Sequence, residues 1–348
     1  MSEEKSTRII ATLVAVVLIV AVLIVLISSF YQTESQPNII LIIWDGTERE
    51  VFYELLNAEK LPFISTLNIY NMTNNLEFNV GTATRQQHSV MFTGYLVNVT
   101  GIRTNGPSRN DVPPALNGGL TVPKGITIFE RIKQLCPEYR ILGATGKSTN
   151  VGDLLGFPGG KYWRDCVGEE PPPRGERLYH NMSGFDVFDD RAGLISDYEP
   201  DMHVGEKFRA GPRYLALAEN RPPFLYMFHF ADPDHTGHEY GVKSTQYRDA
   251  IINCDQLTGE ICNKLAPSNP IIMVTSDHGF GTPEFGHHDN PNTFIASNFQ
   301  LKRNACEADV APTIYQILGI DITQFTPTLY GEPLALKSEV CAHKKRDG

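Results

Sequence analysis

Three stretches of the chain share one design, an apolar run that stops on an acid or an imidazole. They are "NIILIIWDG" (38–46), "PPFLYMFHFADPDHTGHEYG" (222–241) and "PIIMVTSDHG" (270–279). A strand that is apolar at nearly every position has no face to turn to water, so both faces must be covered. That is the condition of a parallel strand sandwiched between helices. "YRILGATGKS" (139–148) reads as a further strand and turn, and "TEREVFYELLNAEKLPFISTL" (47–67) has helical spacing that breaks at Pro62. "ADVAPTIYQILGI" (308–320) reads as a late amphipathic helix. Strands alternating with helices predict an α/β layered fold with a central, mostly parallel sheet. No internal repeat interrupts it.

In open α/β sheets, sites form outside the carboxyl ends of the strands. Asp45, Asp234 with His238, and Asp277 with His278 all fall there, and His287 and His288 follow in "EFGHHDN". Carboxylate oxygen and imidazole nitrogen are what zinc accepts in catalytic sites. The set suits two divalent cations, which together can clamp the attacking and leaving oxygens of a phosphoryl transfer. "GTATRQQHSVMFTGY" (81–95) offers the hydroxyls of Thr82, Thr84 and Ser89 as nucleophiles. A threonine hydroxyl is weak at neutral pH, but a coordinated metal stabilises its alkoxide. None of the six cysteines forms a C-x-x-C pair, which argues against a thiolate metal site.

The ordered set "IIWDG", "TATRQQHSVMFTG", "GIRTN", "DPDHTGHEYG", "SDHGFG" and "GHH" resembles the alkaline phosphatase superfamily, in its type I phosphodiesterase and nucleotide pyrophosphatase branch. The resemblance runs from Asn38 to about Leu336, including "YGEPL". It implies an alkaline-phosphatase-like layered fold and a two-metal hydrolase with a phospho-threonine intermediate. By the resemblance Thr84, nine residues before the Thr of "TG" and four before His88, is the nucleophile, and Thr82 the second choice. Asp45, Thr84, Asp277 and His278 would hold one zinc. Asp234, His238 and a later histidine would hold the other; the family's Gly-x-His pattern favours His288 and leaves His287 open. Asn105 stands where the branch donates to a phosphate oxygen. Arg85 stands where the branch commonly has an aromatic, which weakens a claim to nucleotides. Gly237 is expected to permit a tight backbone between Asp234 and His238. The Cys-x-Pro-x-Arg pattern of sulfatases is absent. A phosphotransferase, a phosphomonoesterase or phosphonate hydrolase, and a non-catalytic surface receptor on this fold are the alternatives.

Ahead of this region, Ile9–Phe30 is 22 residues without a charge. As a helix it would rise about 33 Å, enough to span a hydrocarbon core of about 30 Å. Lys5 and Arg8 precede it and no Lys or Arg follows before Arg49, so the expected orientation leaves residues 1–8 in the cytoplasm and the rest outside. The expected order is thus a tail (1–8), an anchor (9–30), a linker (31–37), a catalytic domain (38–340) and a tail (341–348). A loop-rich insertion is expected at 156–193, around "EEPPPRGE". Sequons at Asn71, Asn98 and Asn181 and an even number of cysteines agree with an outside location and with disulfides. The partners expected are a phosphate ester (small molecule, lipid or glycan) and the membrane. With a formal charge of −10 and no basic stripe interleaved with aromatics, nucleic acid is not an expected partner.

Overall fold

The computed structural model describes residues 36–73, 83–102, 122–123, 125–147, 151, 215, 218–281 and 290–335. The expected anchor, the insertion, the sequon at Asn181, Cys166, Cys341, and the site candidates Thr82, Asn105, His287 and His288 lie outside the described residues. Among the described residues no helix is long and apolar enough to cross a membrane.

Among the described residues, seven strands form one mixed sheet: β1 (Ile39–Trp44), β2 (Asn68–Thr73), β3 (Arg140–Thr145), β4 (Phe224–Phe230), β5 (Ile271–Thr275), β6 (Asn292–Ser297) and β7 (Ala305–Cys306). Their order is β3-β4-β1-β5-β6-β2-β7. β1 lies parallel to β4 on one side and to β5 on the other, and β3 is parallel to β4. Every residue of β1 is buried, as its unbroken apolar run requires.

Successive side chains of a strand point to opposite faces, and β1 divides its residues accordingly. Ile39, Leu41 and Ile43 join a core with residues of α2 (Thr84–Thr93), α4 (Ile128–Leu135) and α7 (Val310–Leu318). Ile40, Ile42 and Trp44 join a second core with α1 (Arg49–Asn57) and α6 (Thr245–Leu265). Helices therefore cover both faces, a three-layer α/β arrangement. Trp44 is fixed within the second core by its indole N–H, which donates to Thr258 Oγ1 at 3.0 Å. The four-residue α3 (Val97–Thr100) and α5 (Asp232–Tyr240) complete the helices used below.

The structure departs from the sequence reading in four places. The first helix ends at Asn57, not at Pro62, because Glu59 adopts a left-handed backbone (φ 56°). β2, β6 and β7 were not anticipated. β6 runs antiparallel to both neighbours, and β2 is only half-buried, so neither carries the unbroken apolar signature. "DPDHTGHEY" is a helix, with Pro233 in its first turn where a missing N–H costs nothing. Asp234 and His238 are thus one helical turn apart rather than at the ends of a tight loop. Gly237 is needed for another reason, since a Cβ there would lie 2.4 Å from the Phe280 ring. Finally, no disulfide joins Cys136, Cys254, Cys262 and Cys306 to one another. Cys254 and Cys262 sit eight residues apart on α6, about 12 Å along the axis, too far to bridge. Of the two described sequons, Asn98 is exposed and Asn71 is half-buried, its Oδ1 accepting from the Tyr53 hydroxyl.

Candidate active site

The sheet register decides what meets. Trp44 pairs with Phe230, and Ile43 with Thr275, so three neighbouring strands release their chains at one height. Asp45 leaves β1, Asp234 stands on the first turn of α5 after β4, and Asp277 follows β5. Gly46 takes φ +67°, and a Cβ there would sit 2.8 Å from Asp234 Cβ, so only glycine allows this approach. Its N–H donates to Asp277 Oδ1 at 3.0 Å, tying the first loop to the third.

A brace fixes the two loops. The Tyr247 hydroxyl, buried on α6, donates to Gly46 O at 2.6 Å and accepts from Glu48 N–H at 2.7 Å. Glu48 Oε2 accepts from Phe280 N–H at 2.7 Å and from Asn290 Nδ2 at 2.6 Å. Ser276 Oγ accepts from Thr47 N–H at 3.0 Å. The site is therefore held by packed side chains of the surrounding elements, which favours a preorganised geometry.

Ligand atoms of Asp45, Asp277 and His278, all fully buried, lie within 4.8 Å of one another. Thr84 begins α2, and its Oγ1 is 3.3 Å from His278 Nε2. His278 Nδ1 is 3.1 Å from the carbonyl oxygen of Gly279. A carbonyl only accepts, so Nδ1 donates there and Nε2 is the nitrogen turned to the carboxylates. Nε2 lies 3.4 Å from Asp45 Oδ1, 3.6 Å from Asp234 Oδ1 and 3.6 Å from Asp277 Oδ2. Buried carboxylates converging this closely need positive charge beside them, and carboxylate oxygens with an imidazole nitrogen are a donor set that fits a divalent cation. Asp45, Thr84, Asp277 and His278 come together as the sequence reading grouped them.

The second group is present in part. His238 Nε2 lies 3.4 Å from Asp234 Oδ1, with the imidazole 41% exposed and edge-on to Phe280. Arg85, which could have faced solvent, is fully buried. His88, also buried, has Nδ1 2.7 Å from Thr84 O and 3.4 Å from Asp277 Oδ2. Burial and the adjacent His229 hold its pKa well below the ordinary value, so it is neutral.

Two residues at the centre of the site were missed by sequence reasoning. His229 Nε2 donates to Asp45 Oδ2 at 2.8 Å. Lys147 Nζ lies 2.9 Å from each Asp45 oxygen, 2.5 Å from Asp234 Oδ2 and 3.2 Å from Thr84 Oγ1. The available signals were an imidazole inside the apolar run "FLYMFHF" and a lysine two residues past the end of β3.

These charges set the carboxylates apart. Burial pushes Asp45 and Asp234 up, but the Lys147 ammonium overrides it and both stay below the usual range. Asp277 is pushed up to about 6 by burial and by the Asp45 charge, which the surrounding imidazoles and Lys147 only partly offset. Lys147 is held above its ordinary value by Asp234, Asp45 and Asp277 despite its burial.

Solved structures with the same fold include a putative sulfatase from Bacteroides fragilis, with a TM-score of 0.54 and 16% identity over 88% of this chain and 78% of that one. Alkaline phosphatase from the Antarctic bacterium TAB5 aligns with a TM-score of 0.52 and 13% identity over 82% and 99%. By sequence, the 2,3-bisphosphoglycerate-independent phosphoglycerate mutase of Wolbachia pipientis wMel is 30% identical over 170 residues, 46% of this chain and 31% of that enzyme. The chain spans about a third of the length of that relative, and 21% of the corresponding mutase of Ehrlichia canis, to which it is 32% identical over 108 residues. The family profile described as type I phosphodiesterase / nucleotide pyrophosphatase matches residues 39–325. A match over most of the chain, on a fold shared with alkaline phosphatase and with the acids and imidazoles at the strand ends, makes this protein a member of the type I phosphodiesterase / nucleotide pyrophosphatase family.

Proposed function

We propose that the chain is a metal-dependent hydrolase of phosphodiester bonds that works through a phosphorylated Thr84. The observation that carries this reading is the Thr84 hydroxyl, buried at the start of α2 and 3.3 Å from His278 Nε2, beside three convergent carboxylates. Asp45, Thr84, Asp277 and His278 would hold one divalent cation, and Asp234 and His238, with His287 or His288, a second. Two such cations, zinc by the donor set, would supply positive charge favouring the ionised Thr84 hydroxyl and drawing charge from the phosphoryl oxygens. Thr84 Oγ would bond to phosphorus as the bond to the leaving oxygen breaks, and the hydroxyl proton would end on that departing oxygen. The amide N–H groups at the start of α2 favour negative charge at this oxygen. Water then cleaves the phosphothreonine. A second reading, transfer to an acceptor hydroxyl instead of water, is favoured by the sequence identity to the mutases.

Substrate class is tested with zinc and the p-nitrophenyl panel: phosphate monoester, bis-ester and nucleotide ester. The diester should be preferred in kcat/KM by about tenfold, roughly 1.4 kcal/mol, and the nucleotide ester should gain nothing further. The motive is Asn105, a neutral donor at the branch-typical position, suited to a singly charged diester. Arg85, adjacent to Thr84, opposes it. A monoester preference that disappears in Arg85→Ala would reverse the ranking of these two residues.

We also read Ile9–Phe30 as an anchor with an extracytoplasmic catalytic domain, on its length and on the preceding Lys5 and Arg8. Protease added to intact cells should leave a small membrane-embedded fragment. Full protection of the chain would refute the orientation.

A further inference from the structure

Lys147 leaves the sheet two residues past the end of β3, and β3 is separated from β1 by the whole of β4. Its side chain nevertheless crosses that gap and ends at the carboxylates. The approach is built: Thr145 Oγ1 accepts from the Lys147 N–H at 3.0 Å, fixing the backbone from which the stem departs. The side chain is only 8% exposed. One nitrogen thus contacts Asp45, assigned to the first metal, Asp234, assigned to the second, and the Thr84 hydroxyl.

We propose that Lys147 is the internal cation of the metal-free protein, bridging the two halves of the site and yielding its place when metal enters. The proposal rests on the metal-site reading above. Without positive charge, the buried carboxylates of Asp45, Asp234 and Asp277 would repel one another and draw in water. The ammonium neutralises part of that charge and holds Asp45, Asp234 and Thr84 within reach of one point. With divalent ions on the same carboxylates, the ammonium would face like charge a few ångströms away in a dry site, where such repulsion is strong. Lysine is suited to move because its charge rides on a flexible four-carbon stem. Lys147 is therefore a positioning residue. It keeps the site assembled before loading, and its displacement weakens metal affinity. A ligand would have the opposite effect on removal: loss of a ligand weakens metal binding, whereas loss of Lys147 should tighten it.

The test compares wild type, Lys147→Met and Lys147→Arg by zinc affinity, measured by competition with a chelator, and by Tm with and without zinc. Lys147→Met should lower the metal-free Tm by about 6–10 °C, the cost of stripping a buried ion pair of one partner. It should bind zinc about tenfold tighter and regain most of the lost Tm when zinc is saturating. Lys147→Arg, which keeps a cation, should restore the metal-free Tm and abolish the gain in affinity. Unchanged or weaker zinc binding in Lys147→Met, or an equal loss of Tm with and without zinc, would overturn the proposal. A measurement on wild type is independent of how the variants fold. Reductive methylation of Lys147, followed by mass spectrometry, should be faster in zinc-loaded than in metal-free protein; equal or slower labelling overturns the displacement. Failure of wild type to bind zinc at all would instead refute the metal-site reading.

Discussion

Replacing Thr84 by alanine should lower turnover about 10⁴–10⁶-fold, the range seen when a catalytic nucleophile is removed, while the chain still folds and binds metal. The size of the effect follows from the proposed chemistry. Without Oγ there is no atom to bond to phosphorus, and neither bound cations nor the helix start can substitute for it. The fold should tolerate the change. The contact of His88 Nδ1 is to the Thr84 backbone oxygen, which alanine keeps. The lost side-chain hydrogen bonds, to His278 and Lys147, are worth about 1 kcal/mol each. Thr84→Ser should recover much of the activity, since it restores the oxygen. Trapping with a labelled diester should give a phosphorylated peptide containing residue 84 in wild type and none in Thr84→Ala. Full activity in Thr84→Ala with a dead Thr82→Ala would show that the register is off by two residues.

Asp277→Ala and Asp234→Ala should each weaken zinc binding by at least about a hundredfold, because neutral water cannot replace the charge of a ligating carboxylate. Unchanged zinc content in both variants would sink the two-metal assignment. Asp277 also has a distinctive pH signature. Its carboxyl is pushed up to about 6 in metal-free protein, against 3.8 ordinarily, so the fold favours its protonated form. A raised folded pKa contributes stability that is present at low pH and is lost as pH rises through the folded value. Without metal, wild type should therefore lose stability relative to Asp277→Asn between about pH 4 and pH 7. Asp45 and Asp234 do not produce this trend. Their values are depressed, so their contribution is lost only on going to lower pH. Denaturant melts of the two proteins across this range decide the matter, and a constant difference would mean that Asp277 is ionised throughout. A carbon-13 titration of the Asp277 carboxyl should show the same midpoint near 6.

How much was legible beforehand differs by element. The central strands were readable because burial on both faces favours apolar residues, and β1, β4 and β5 show it as near-continuous apolar runs, with His229 and Thr275 the polar exceptions. β2 is half-buried at the margin of the sheet, and its "NIYNMT" has no comparable pattern. The nine-residue α5 hid behind Asp, Pro and Gly, residues that usually mark turns. Its helical state is supported by packing on α6 and by Phe280 filling the space left at Gly237.

The sequence by itself determined that acids and imidazoles stand at strand ends, and their order carried the family. The resemblance also singled out Thr84 as the candidate hydroxyl, by its spacing to His88 and Thr93. What only the tertiary structure decided is which side chains share a point in space. Lys147 is 102 residues from Asp45, and His229 is 184 residues from it. The imidazole inside "FLYMFHF" and the lysine just past β3 are local signals of polar groups, but not of their partners, which depend on the strand order β3-β4-β1-β5 and on the common height at which those strands end. The opposed protonation of the carboxylates has the same origin. Asp45, Asp234 and Asp277 are chemically identical in sequence. They differ because a single ammonium reaches two of them closely, while burial and a neighbouring carboxylate dominate the third.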